Sequence, residues 1–329
     1  MDRKLNLGIM ATGAIAQKVV LTLNRLECLN VYAVCSRTQE KADEFASQFN
    51  VQKAYGTYED MLKDPLVDLV YITTPHSEHL KYIKLCAQYG KNYICEKAFT
   101  LNAKEAEEAI QLTKKAGIFG TEAIWCRYAP MAKTIKDFIE SGKLGDVISI
   151  TANLGYPVWH RERLHKRELG GGALLDVGIY CLNFLDLVTG GDEFDTINVN
   201  ACIDKTYKTD KYEKVDIKYR SGITASIFNS IINCTDRYGA VYGTKGTLYI
   251  ENINTYTAMT FYNNNREIED TVYPPEMISG YEYEFEQACR CILEGKKESY
   301  SCNFEQTLRL MRQMDMIRKQ MGVTYPCEE

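Results

Sequence analysis

Lys97 follows a short apolar strand, Tyr93-Ile94-Cys95, with Glu96 between them. The strand ends of an open parallel sheet face the crevice where ligands bind, so an ammonium delivered there faces a ligand rather than bulk water. Further along, the run Leu169-Gly170-Gly171-Gly172-Ala173-Leu174-Leu175-Asp176-Val177-Gly178-Ile179-Tyr180 places three glycines ahead of a helix. The glycines permit close approach to a ligand, and Asp176 and Tyr180, four residues apart, project from one helical face. An acid and a phenol on one face, with Leu and Ile on the other, read as the wall of a site. A phenol with a pKa near ~10 exchanges protons poorly at neutral pH, but an adjacent ammonium favours the phenolate. Lys97 is the residue to supply it, and the chemistry expected is proton transfer at a hydroxyl or carbonyl oxygen.

A second group of residues suits a dinucleotide. Strand one turns into its helix through Ala11-Thr12-Gly13-Ala14-Ile15-Ala16, an A-x-G-x-x-A version of the glycine turn that lets a pyrophosphate approach backbone N–H groups at a helix N-terminus. An NAD-preferring site carries an acidic residue at the end of strand two, whereas this chain has Ser36-Arg37-Thr38, two hydroxyls and a planar guanidinium that suit a 2′-phosphate. NADP(H) is therefore expected over NAD(H). A later strand ends in Thr73-Thr74-Pro75-His76, with Pro75 fixing the loop beneath the nicotinamide half. His79, one turn into the next helix, reaches cofactor or substrate or is satisfied as a helix cap. Trp125 and Arg127 line the ribose or substrate side, or pack at the domain junction.

The elements that must position these residues follow from hydrophobic period. Strand and helix patterns alternate over the first 120 residues: strands at Leu5–Met10, Val31–Cys35, Asp68–Thr73, Tyr93–Cys95 and Phe119–Thr121, with helices at Ala14–Leu26, Thr38–Phe49, Glu78–Tyr89 and Ala103–Ala116. That alternation predicts a doubly wound parallel sheet over residues 1–122. Residues 123–329 carry longer β-prone segments separated by turns such as Arg220-Ser221-Gly222 and Thr244-Lys245-Gly246, one helix from Ala173 to Leu187, and closing helices near Tyr281–Leu293 and Phe304–Met321. The second domain is expected to be α+β on a large, mostly antiparallel open sheet, with the C-terminal helix packing back on the first domain.

Composition limits the partners. The 329 residues carry a net charge of -5 and no basic block, which gives no attraction to nucleic acid or to an anionic membrane. No apolar run approaches the ~20 residues that span a bilayer. The twelve cysteines include no CxxC pair, so reduced, buried thiols in a cytoplasmic protein are expected, with no metal site.

With Glu96-Lys97, the altered glycine turn and Gly-Gly-Gly-Ala-Leu-Leu-Asp-Val-Gly-Ile-Tyr in order, the chain resembles the Gfo/Idh/MocA oxidoreductases over essentially its whole length. Tyr180, where many relatives have histidine, places it near the branch with a phenolic acid/base; Ala98 stands where the family has proline. The resemblance implies a Rossmann domain, a second domain whose open sheet forms a homodimer or higher homo-oligomer, and hydride transfer at a carbinol carbon of a sugar, sugar derivative or cyclic diol. It implies Lys97 and Tyr180 as the catalytic pair and Asp176 as substrate-orienting, with His79 beside them. Trp159, His160, Arg161, Arg163 and His165, ahead of the glycines, are the expected source of substrate specificity, and suit a polar ligand. The competing expectation is a regulator of the same fold that binds NADP without turning it over.

Overall fold

Apolar runs buried on both faces need helices on either side, and the first unit meets that requirement. In the computed structural model, which describes residues 3–329, the chain divides into two compact units. The first runs through β1 (Leu5–Met10), α1 (Ala14–Leu23), β2 (Leu29–Cys35), α2 (Gln39–Phe49), β3 (Lys53–Tyr55), α3 (Tyr58–Lys63), β4 (Leu69–Ile72), α4 (His79–Gln88), β5 (Asn92–Glu96), α5 (Ala103–Ala116) and β6 (Gly120–Ala123). All six strands are parallel, in the order β3-β2-β1-β4-β5-β6. The order reverses beside β1, which opens a crevice at the carboxyl ends of β1 and β4. β3 and α3 were not expected: three residues at the sheet edge and a six-residue helix are too short to show a period.

The expected boundary after Glu122 is corrected. The first unit extends to Tyr128 and takes in Met277–Leu308, while Ala129–Glu276 and Arg309–Glu329 form the second. The physical reason is packing. Trp125 stacks on Tyr281 with ring centroids 4.7 Å apart, Phe285 meets Tyr71 edge-on at 5.0 Å, and the Thr22 and Ser279 hydroxyls hydrogen-bond at 2.7 Å. The helix that returns to the first unit is thus Glu282–Leu293; of the last helix, Phe304–Met321, only the first residues belong to it.

The second unit begins with α6 (Pro130–Glu140), whose proline sits in the first turn where no N–H partner is lost. It continues with β7 (Val147–Gly155), α7 (Glu162–His165), a π-helical turn at Leu174–Gly178, α8 (Ile179–Thr189), β8 (Phe194–Ile203), β9 (Asp210–Tyr219), β10 (Thr224–Ser230), β11 (Gly239–Gly243), β12 (Gly246–Glu251), β13 (Ala258–Asn263) and β14 (Ile268–Val272). The eight strands lie in the order β14-β13-β12-β11-β7-β10-β9-β8, and every neighbouring pair is antiparallel except β7 and β10. Ile150, Ala152 and Leu154 of β7, and Val215, Ile217 and Tyr219 of β9, are buried in alternation with more exposed neighbours, the period of a sheet covered on one face. The expectation that no stretch is apolar enough to cross a membrane is corrected too: Arg167–Thr189 passes that test by length and composition, but 94% of it is buried, as the central helical segment of the second unit.

Candidate active site

The carboxyl ends of β1, β2, β4 and β5 bring together most of the residues expected to hold a dinucleotide. Gly13 is the N-cap of α1, with no side-chain hydrogen bond and no acidic residue in the first turn, and nothing lies within 4 Å of where its Cβ would be. The amides of Ala14 and Ile15 therefore open on space a pyrophosphate can enter. Ala11 has φ 84°, a conformation costly for any side chain, which accounts for glycine being usual there. Thr12 stands between them, its carbonyl accepting from Gln17 Nε2 at 3.2 Å. Ser36 is buried, and Thr38 caps α2 by accepting from the Lys41 amide at 3.4 Å. Arg37 between them is exposed and makes no hydrogen bond or ion pair with any described residue.

After β4, Thr73 donates to the carbonyl of Met10 at 2.8 Å, tying the two strand ends together. The buried Thr74 hydroxyl has no hydrogen-bond partner among the described residues, which is unusual enough to mark a ligand contact. Pro75 is exposed in the loop that follows. These features fit a dinucleotide: uncapped amides for phosphate, an unpaired guanidinium and an orphaned hydroxyl.

His76 and His79 do something else. His76 Nε2 donates to the carbonyl of Lys97 at 3.2 Å. The His79 ring is fully buried, with Nδ1 3.0 and 3.2 Å from the carbonyls of Ala98 and Phe99 and Nε2 2.9 Å from that of Thr74. Burial pulls the His79 pKa down, against the carbonyls that hold its N–H. Both its nitrogens are taken up by backbone, so His79 is a clamp on the segment after Lys97 rather than a contact to cofactor or substrate. In that segment the Lys97–Ala98 peptide is cis.

Glu96 and Lys97 are also fixed by residues the sequence reading passed over. The Tyr71 hydroxyl donates to Glu96 Oε1. Glu284, fully buried on the returning helix, is pushed well above the usual carboxylate range by burial and then by Glu96. Glu122 accepts from the Phe99 amide and from the Thr307 hydroxyl, each at 2.9 Å. Trp125 and Arg127 are buried in the short turn after β6, with Lys18 donating to the Tyr281 hydroxyl beside the Trp125 stack at 3.2 Å.

Burial raises the Glu122 pKa from 4.5 to about 7, although the Thr307 hydroxyl, Arg127, the Phe99 amide and Lys97 all oppose it. The folded chain thus binds this proton more tightly than the unfolded one, so its contribution is complete below the unfolded pKa and is lost as pH rises through about 7. Glu122→Gln can still accept from the Phe99 amide through its oxygen while its NH2 donates to the Thr307 hydroxyl, and it does not titrate. Urea unfolding is expected to show a flatter pH dependence for the variant, with up to about 3 kcal/mol gained over the native protein near pH 8; parallel curves for the two would show that Glu122 does not titrate in this range.

In the second unit, Asp176 lies in the π-helical turn and Tyr180 in the first turn of α8. The turn replaces the continuous α-helix expected from Ala173; such turns are rare and collect at functional sites. Both side chains are nearly buried. Asp176 accepts from Arg163 at 2.8 Å, and Arg163 keeps 40% of its side chain exposed. Of the other residues expected to set specificity, Trp159 and His165 pack on each other and on Tyr207 in the β8–β9 connection, with centroids 4.2 and 4.8 Å apart for the first and last of these pairs. His160 and Arg161 are exposed.

A parallel sheet with a dinucleotide turn, followed by a unit that carries an acid and a phenol on the helical segment beside a mostly antiparallel sheet, is the architecture of a two-unit oxidoreductase. Residues 5–121 match the oxidoreductase family with an NAD-binding Rossmann fold, and residues 132–249 match the Gfo/Idh/MocA C-terminal domain. The chain is 32% identical over 326 residues to trans-1,2-dihydrobenzene-1,2-diol dehydrogenase of Xenopus laevis, covering 97% of this chain and 98% of that one. It is also 32% identical over 331 residues to the enzyme of the same name from Homo sapiens, covering 97% of both. The fold matches that of an aldose-aldose oxidoreductase from Caulobacter crescentus complexed with glycerol, with a TM-score of 0.88 at 24% identity over 97% of this chain and 98% of that one. A 3-ketoreductase from Actinomadura kijaniata in complex with NADP and TDP-benzene matches with a TM-score of 0.87 at 20% identity and the same coverage. The chain belongs to the Gfo/Idh/MocA family. It is an NAD(P)-dependent oxidoreductase.

Proposed function

We propose that this chain uses NADP(H) to transfer a hydride to or from the carbinol or carbonyl carbon of a cyclic diol, sugar or sugar derivative. The observation that carries the reading is the nearly buried Tyr180 one turn after Asp176, with Asp176 held by Arg163. A phenol withheld from water beside a fixed carboxylate is equipped to bind and orient a substrate hydroxyl. Lys97 is assigned to the same reaction, its ammonium stabilising the phenolate as Tyr180 takes the hydroxyl proton. Asp176 orients the substrate by accepting from a neighbouring hydroxyl. The nicotinamide, when bound, supplies the hydride acceptor or donor at C4. Ala11 to Ile15, Ser36 to Thr38, and Thr73 to Pro75 are assigned to hold the cofactor, with Glu96, Trp125 and Arg127 around it and His76 acting through the Lys97 carbonyl.

The cyclic-diol class is supported by the relatives at 32% identity, which are named as trans-1,2-dihydrobenzene-1,2-diol dehydrogenases. Arg163, exposed in part beside Asp176, suits a polyhydroxylated ligand. The test is a panel of aldoses, ketoses and cyclic diols that includes trans-1,2-dihydrobenzene-1,2-diol, assayed in both directions by reduced-nicotinamide absorbance. Turnover is expected with a vicinal diol or its keto counterpart. NADPH binding with no turnover across the panel would make the chain a cofactor-binding regulator.

A further inference from the structure

Behind the π-helical turn lies a group of buried polar side chains that the proposed reaction does not use. Glu213 of β9 continues the inward-facing set Val215, Ile217 and Tyr219 and is fully buried where an apolar residue is expected. Its cross-strand partner on β10 is Asn229, also fully buried. Asp210, at the start of β9, accepts from the Leu174 amide at 2.6 Å. A Cβ on Gly172 would lie 2.2 Å from Asp210 Oδ1, and one on Gly178 would lie 3.0 Å from Glu213 Oε1 and 3.1 Å from Asn229 Nδ2. The two carboxyls and the amide therefore press on both ends of the turn that carries Asp176 and leads into Tyr180.

As two carboxylates this group is not viable. Asp210 Oδ1 and both oxygens of Glu213 have no hydrogen-bond donor among the described residues, and Cys181 and Tyr325, the other titratable groups beside them, bring no positive charge. A single proton resolves it: burial raises both carboxyls, Glu213 the further of the two, so Glu213 is the one placed to donate to Asp210, whose other oxygen holds the Leu174 amide. Burial, and then the Asp210 charge, drive Glu213 well above the ordinary carboxylate range, which agrees with that assignment.

We propose that Glu213, through Asp210 and with Asn229, is a positioning residue that fixes the 174–178 turn and thereby the placement of Asp176 and Tyr180. This rests on the assignment of those two residues to the reaction. Glu213→Leu keeps volume and removes the donor, leaving Asp210 buried and unpaired, whereas Glu213→Gln retains an N–H that can donate to it. In the full-length protein, amide hydrogen exchange over residues 172–181 is expected to speed up by at least about tenfold in Glu213→Leu, the effect of leaving one buried polar group unsatisfied. kcat with trans-1,2-dihydrobenzene-1,2-diol and NADP+ is expected to fall by a similar factor, while KM for NADP+ stays within about twofold; Glu213→Gln restores both readouts. Should the leucine variant not fold, Gly178→Ala, a methyl pressed against Glu213 and Asn229, is expected to lower kcat in the same way with the KM for NADP+ unchanged. Native exchange in Glu213→Leu, or equal damage from leucine and glutamine, overturns the proposal. Tyr180→Phe at native turnover would instead overturn the assignment of Tyr180 and leave the exchange result standing.

Discussion

Tyr180→Phe is expected to lower kcat by about 10²- to 10⁴-fold, the range that a positioned proton donor or acceptor supplies, with the dinucleotide Kd unchanged. Phenylalanine keeps the ring that fills this nearly buried position and removes only the oxygen, so the π-helical turn and α8 should survive and the loss should fall on the chemical step. Lys97→Met is expected to cost a comparable factor and to move the pH profile. Without the ammonium, phenolate formation is favoured less, so the rising limb of oxidation against pH should shift to higher pH. The lysine variant tests the fixed geometry as well: Tyr71 on Glu96, His76 on the Lys97 carbonyl, and His79 on the two carbonyls after it hold that segment whether or not the side chain is present. If both variants turn over a verified substrate within severalfold of the native rate, this pair is not the catalytic one.

Arg37→Ala should raise the Kd for NADPH by about ten- to a hundredfold and that for NADH by no more than about twofold, because hydrogen bonds to a charged partner are worth ~1.5–3 kcal/mol. The guanidinium is exposed and makes no hydrogen bond or ion pair with a described residue, so its loss breaks no such bond in the fold. Thr38 already accepts the Lys41 amide in capping α2, which leaves its hydroxyl proton for a phosphate oxygen. Fluorescence titration with both dinucleotides reads the ratio directly. Equal losses for the two would remove the argument for a 2′-phosphate, and high salt should reduce the NADPH preference of the native protein.

What could be read without the structure was local. β1, the glycine turn and α1 form a contiguous signal, as do the near-continuous apolar β4 and the Glu96-Lys97 strand end, and each is written within a few residues of itself. The partners that hold them are not. Thr307 meets Glu122 across 185 positions and Phe285 meets Tyr71 across more than two hundred, and no sequence period links them. Arg163 reads as a specificity candidate from its place ahead of the glycines, but its ion pair with Asp176 depends on the turns between them. His79 shows the opposite limit: a histidine one turn into a helix after a ligand loop reads alike as a cofactor contact or as a backbone clamp, and only the three surrounding carbonyls distinguish them. Glu213 did leave a trace, since it keeps the two-residue alternation of Val215, Ile217 and Tyr219. The charged Asp210, Lys211 and Lys214 around it hide that trace, because they give the start of the strand no apolar alternation.

The return of Met277–Leu308 to the first unit has a consequence for how the chain is made. A nascent first unit leaves the ribosome with its parallel sheet complete at β6, yet Tyr71 lacks Phe285, Thr22 lacks Ser279, and Glu122 lacks Thr307. Roughly 180 further residues must be synthesised before those partners emerge, which at ~5–20 residues per second is on the order of ten to thirty seconds. Through that interval the crevice-forming half lacks the helix Glu282–Leu293, and Glu122 lacks the Thr307 hydroxyl. Residues Ala129–Glu276 are thus inserted within the first unit, and the second unit is in turn completed only when Arg309–Glu329 follow, so neither unit can be finished before nearly the whole chain is made.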